Sequence, residues 1–137
     1  MIKKALFMTV GAIGAMITTL FGGWSPGLTT LMIFMGSDYI CGLIVAGVFH
    51  KSKKTENGRL ESKAGWKGLC RKFITLMIVA VAFRIDLMMK TNYLMDAVVL
   101  AFCANESVSI IENAGLMGVP IPAQIKNAIE VLKKKNS

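Results

Sequence analysis

The chain reads as an all-α integral membrane protein with four transmembrane helices, and three observations predict this. Four apolar stretches, residues 5–23, 28–49, 73–89 and 93–111, each approach the roughly 20 residues that a helix needs to cross a hydrocarbon core. The 137 residues are 54% hydrophobic with a mean hydropathy of +0.57, more apolar surface than one water-soluble core of this size can hide. Fourteen of the sixteen Lys and Arg residues gather in three places: ahead of the first stretch, between the second and third, and after the fourth. Short loops rich in Lys and Arg stay cytoplasmic, so four crossings with both termini inside satisfy nearly every charge.

In order along the chain, Lys3 and Lys4 precede the first stretch, which carries Gly11, Ala15, Thr19 and Gly23 at i, i+4 spacing. Such a stripe of small residues admits a close helix neighbour. The run is longer than a signal-peptide apolar region and no clear A-x-A site precedes Trp24, so it is read as a mature span. Gly22 to Gly27 form an uncharged turn marked by an interfacial tryptophan, and the second stretch follows. The connection 50–72 is strongly basic. Within it Ser62 can cap a helix that places Trp66, Leu69, Cys70 and Phe73 on one face and Lys63, Lys67 and Arg71 on a strip beside it. That segment is expected to lie on anionic lipid, with Trp66, Lys67, Arg71 and Lys72 at the membrane surface.

The third stretch ends in an i, i+4 pair, Asp86 and Lys90, expected to be a solvated helix end. The fourth is the most polar: Asn105, Glu106, Ser109, Glu112 and Asn113 share one arc, and Asp96, Cys103 and Ser107 form a second strip. Such a helix inserts more readily when it packs against others or lines water, which points to a homo-oligomer. The tail, 120–135, is expected to form an amphipathic helix in which Pro122 suits the first turn and Ile121, Ile125, Ala128, Ile129 and Leu132 recur at helical spacing. The whole is one domain. A three-span chain with the polar last stretch at the surface is the alternative architecture; it would export the lysine-rich tail or invert the chain.

Ionisable residues inside a membrane are costly and mark function. In the second span Asp38, Gly42 and Ala46 share the i, i+4 face, so the acid points into a bundle or a pore and the two small residues serve close packing. At 1.5 Å per residue Asp38 lies about 15 Å in from Leu28 and Arg84 about 16 Å from Phe73, both near the midplane. They are therefore expected to pair, within or between subunits. The candidate assembly or pore-lining set is Asp38, Gly42, Ala46, Arg84, Asp96, Asn105, Glu106 and Ser109.

Chemistry of other kinds lacks its residues. His50 is the sole histidine, so neither a histidine-based nucleophile nor a multi-histidine metal site fits within one chain, and no nucleotide-binding or zinc-protease motif occurs. No catalytic, cofactor or metal residue is assigned. Cys41, Cys70 and Cys103 are widely spaced and imply no disulfide framework. The charge of +8 accompanies apolar segments and does not line a soluble face, so a nucleic-acid partner is not expected.

Several sequence features together resemble the phage lysis and toxin-secretion holins, over residues 31–132. They are Asp38-Tyr39-Ile40 with Gly42, the run Ser62-Lys63-x-Gly65-x-x-Gly68-x-x-Arg71-Lys72, the run Asn105-Glu106-Ser107-x-Ser109-Ile110-x-Glu112-Asn113-Ala114, and Gly118-Val119-Pro120-Ile121-Pro122. The first 27 residues match no motif of that family. The resemblance implies a protein of the bacterial inner membrane that oligomerises into lesions. Through these a murein-degrading endolysin, or a large toxin, leaves the cell, and an antiholin is a further implied partner. Two other classes fit the same polar helices, a small ion channel or transporter subunit and a membrane anchor without a pore. Solute-size selectivity separates the first from a lesion former, and loss of membrane potential on expression separates both from the second.

Overall fold

A computed structural model describes residues 1–136, apart from the side chains of 132, 133, 135 and 136, and builds them as five helices without strands. These are α1 (Ile2–Phe21), α2 (Pro26–Gly47), α3 (Ser62–Met89), α4 (Leu94–Leu116) and α5 (Ala123–Asn136). The all-α class is as expected. Three of them, α1, α2 and α4, are long and apolar enough to cross a membrane by length and composition. The count equals that of the three-span alternative, but the helix that fails is α3 and not the polar last stretch. Its length is ample, at 28 residues or about 42 Å. Its charges Lys72, Arg84 and Asp86 break the apolar composition, and two of the three turn inward, as described below.

The helix ends follow from local chemistry. Gly22 takes the left-handed conformation (φ 75°) that closes α1, and its N–H donates to the Thr18 carbonyl at 2.9 Å. A side chain at Gly22 would also run into the Phe83 ring, so the residue lets the end of α1 meet α3. Ser25 caps α2 by accepting from the Leu28 N–H, with Pro26 in the first turn, and the Trp24 indole donates to Thr29 Oγ1. The basic helix foreseen at Ser62 and the third apolar stretch form one continuous α3, since nothing between Ser62 and Met89 breaks a helix. The tail helix starts one residue after Pro122, whose carbonyl accepts from the N–H groups of Ile125 and Lys126. Leu132 of its expected stripe lies outside the described side chains.

The turn between α3 and α4 departs from the expected solvated pair. Asp86 is 5% exposed and its carboxylate accepts from Thr91 Oγ1 and from the backbone N–H groups of Leu94 (3.1 Å) and Met95 (2.8 Å). It thus serves as the N-terminal cap of the next helix, where exposed N–H groups and the helix dipole favour a negative charge. Lys90 is the left-handed residue (φ 56°) that closes α3 and is exposed, so the two do not act as a helix-surface pair.

α2, α3 and α4 form the packed unit. Leu28, Leu31 and Met35 of α2, Val79 of α3, and Val99 and Cys103 of α4 make its apolar core, with Phe21, Phe34 and Phe102 around it. All of these lie toward the Gly22–Ser25 and Thr91–Tyr93 turns. α1 buries no residue and touches the rest only near its C-terminal end, against α3. Its stripe of small residues meets no partner within the chain: a side chain at Gly11 or Gly23 would have nothing within 4 Å among the described residues.

Candidate functional site

The inward faces of the three packed helices all carry ionisable residues, Asp38 on α2, Lys72 and Asp86 on α3 and Glu106 on α4. On α2 the face runs Leu28, Leu31, Met35, Asp38, Val45; on α3 Lys72, Val79 and Asp86 recur every seven residues; on α4 it runs Val99, Cys103, Glu106, Asn113. Measured along each helix from the end that carries the 48–61 loop or the chain tail, Asp38, Lys72 and Glu106 all lie about 14 to 15 Å in. They meet there.

Lys72 Nζ donates to Asp38 Oδ2 at 2.8 Å and to Glu106 Oε2 at 2.9 Å, with Glu106 Oε1 at 3.2 Å. The second Asp38 oxygen accepts from Ser109 Oγ at 2.5 Å and from Asn113 Nδ2 at 3.3 Å. The three charged side chains are only 7% (Asp38), 16% (Lys72) and 14% (Glu106) exposed. The cluster gathers two carboxyl groups around one ammonium. An ionised group out of water costs several kcal/mol unless it is paired and hydrogen-bonded, and each member here has those partners.

A cavity of about 360 Å³ with a mixed polar and apolar wall opens beside this cluster on the loop side. Asp38, Gly42 and Ala46 of α2, Gly65, Arg71 and Lys72 of α3, Asn105, Glu106, Ser109 and Glu112 of α4, and loop residues Ser52 to Thr55 line it. Tyr39 leans across to α3, where its hydroxyl donates to the Gly65 carbonyl at 3.2 Å and its ring lies beside Gly68.

The structure sorts the residues singled out from the sequence. Asp38, Glu106 and Ser109 come together, and Asn105 joins them at the cavity wall. Asp38 and Arg84 do not pair within the chain. Arg84 is exposed on the outer side of α3, and Lys72, one long side chain before the third apolar stretch, takes its place. Lys72 is accordingly an interior residue and not a membrane-surface one. Asp96 sits exposed in the first turn of α4, remote from the cluster in sequence and level, where the helix dipole suits it. Gly42 has no neighbour within 4 Å that a side chain would meet, so it faces the cavity and makes no tight helix contact; Ala46 is buried. Trp66, Lys67 and Arg71 are exposed on the first turns of α3. The seven-residue recurrence of Lys72, Val79 and Asp86 is the signal that could have revealed both Lys72 and Asp86.

A family model described as the bacteriophage holin family matches residues 15–134. The chain belongs to the bacteriophage holin family. Among relatives, a "Probable holin" of Bacillus phage phi105 is 34% identical over 110 residues, covering 80% of this chain and 76% of its own. An uncharacterized protein of Halalkalibacterium halodurans is 35% identical across 98% of both chains, and one of Listeria monocytogenes is 38% identical across 90% of this chain and 83% of its own. No solved structure matches. This holin family member is therefore a membrane protein and not an enzyme, as the sequence led one to expect.

Proposed function

We propose that this chain acts as a holin in the inner membrane of a bacterial host, where copies associate into lesions that let an endolysin or a toxin cross. The observation that carries the reading is the buried Asp38–Lys72–Glu106 cluster, in which Lys72 of α3 joins two helices, α2 and α4, that are long and apolar enough to cross a membrane. Polar groups at that depth are retained when they line water or join subunits. The family supplies the direction of the function, and the phage relative's printed name agrees with it. The unpartnered α1, with exposed Leu6, Phe7, Ile13 and Met16, offers the apolar surface along which lipid or sibling copies pack.

Orientation follows from charge. With the basic loop and both termini cytoplasmic, α3 is a fourth crossing whose inward Lys72 and Asp86 never meet lipid. Trp66, Lys67 and Arg71, with α5, then rest on anionic headgroups of the inner leaflet. Timed induction in a bacterium tests the reading: Glu106→Leu is expected to shift the moment of potential collapse while the protein still inserts. Unchanged timing removes Glu106 from the assembly. Vesicles loaded with solutes of graded size are expected to release the large ones together with the small; retention of all but ions makes the chain a selective channel, and no release makes it an anchor.

A further inference from the structure

The cavity beside the charged cluster has a floor, a mouth and a stopper. Its floor is the Asp38–Lys72–Glu106 group, and its mouth is edged by Lys53, Lys54 and Arg71 on the loop side. On the far side of the floor, Leu31 and Val79 are 0% exposed and Met35 and Val99 4% and 6%, a close-packed apolar layer. We propose that the cavity is a blind aqueous vestibule within each single subunit, reaching from the basic-loop side to the middle of the helices and ending there.

Three observations support a wet interior. A space of about 360 Å³ has room for on the order of ten waters, and the charged, amide and hydroxyl groups set into its partly apolar wall give them partners. The Thr55 hydroxyl oxygen is buried at the cavity wall with no hydrogen-bond partner in the protein among the described residues, and solvent in the cavity gives it one. Two carboxyl groups and an ammonium sit together at the depth of the mid-helix, a cluster tolerable near the middle of a membrane if one side of it is hydrated. The vestibule admits small hydrated solutes of either sign, because Lys53, Lys54 and Arg71 at its mouth offset the carboxyl groups deeper in its wall. It differs from a lumen between subunits in needing only one copy, and it rests on the membrane reading above.

Cysteine accessibility tests it. In a full-length background with Cys41, Cys70 and Cys103 changed to alanine, single cysteines are placed at Gly42 and Leu116 in the vestibule and at Val79 in the stopper. Asn57→Cys and Asn92→Cys mark the two membrane faces, since both positions are exposed in opposite turns. A membrane-impermeant cationic thiosulfonate is applied to right-side-out and inverted vesicles at expression below the level that arrests growth. Gly42→Cys is expected to react only from the face that Asn57→Cys reports, and about tenfold or more faster than Val79→Cys, because a thiol in apolar surroundings stays protonated and unreactive. Reaction of Gly42→Cys from both faces would mean a through passage and overturns the blind end. Reaction no faster than at Val79→Cys means a dry cavity and overturns the vestibule, and Leu116→Cys repeats the measurement should Gly42→Cys fail to accumulate. If the two markers react from the same face or from both, the membrane reading itself fails instead.

Discussion

The two halves of the three-helix unit are held by opposite physics. Toward the Gly22–Ser25 and Thr91–Tyr93 turns the contact is apolar and tight, with Leu28, Leu31, Val79 and Val99 almost wholly covered. Toward the basic loop the helices stand apart around a cavity and touch through Lys72, its two carboxylates, and the Tyr39–Gly65 hydrogen bond. In lipid an apolar contact gains little over lipid itself, so the tight half depends on packing and the open half on directional polar bonds. A bundle so divided can loosen at the polar end while remaining joined at the other.

The comparison breaks most sharply at Lys72. Lys72→Met leaves two carboxylates facing one another without a cation, and the expected loss is about 3 to 5 kcal/mol in a reversible unfolding measurement in detergent. Neutralising the whole cluster at once, as Asp38→Asn, Lys72→Met and Glu106→Gln together, is expected to restore most of that stability, since a fully replaced buried ion group is often neutral. If the triple variant stays as unstable as the single one, Lys72 contributes through packing and the polar half has been misdescribed. Next in size, Leu31→Ala in the tight half should cost about 1 to 3 kcal/mol, below the range of water-soluble cores because lipid is as apolar as leucine. Asp86→Asn, read in the same assay, is expected to lose about 1 kcal/mol as α4 gives up a charged cap. Smallest is Arg84→Gln, expected within about 0.5 kcal/mol of the parent because the side chain is exposed; a loss like that of Lys72→Met would restore Arg84 as the partner of Asp38.

What the sequence disclosed, and what it withheld, divides along similar lines. Single-helix properties were legible: the helix boundaries near Gly22, Ser25 and Pro122, the polar arc of α4, and the burial of Asp38 all follow from spacing and capping chemistry. Relations between helices were not. Depth arithmetic that starts the third span at Phe73 puts Arg84 level with Asp38, whereas it is Lys72 that reaches that level, and Arg84 lies about 18 Å farther along α3 and on its outer side. Lys72 was misassigned because the apolar stretch was taken to begin at Phe73, although the helix runs unbroken through both. Asp86 was paired with the residue four along, its neighbour on an isolated helix, whereas the turn at Lys90 brings the N-terminus of α4 to it. Gly42 was credited with a tight contact for its size, yet a small residue can equally border a space.

The Asp86 cap has a mechanical consequence. By gripping Leu94 and Met95 from the preceding helix, one carboxylate welds α3 and α4 into a rigid hairpin corner. Bracing at that corner favours bending at the Gly22–Ser25 joint or in the loop ahead of Ser62, with α3 and α4 moving together.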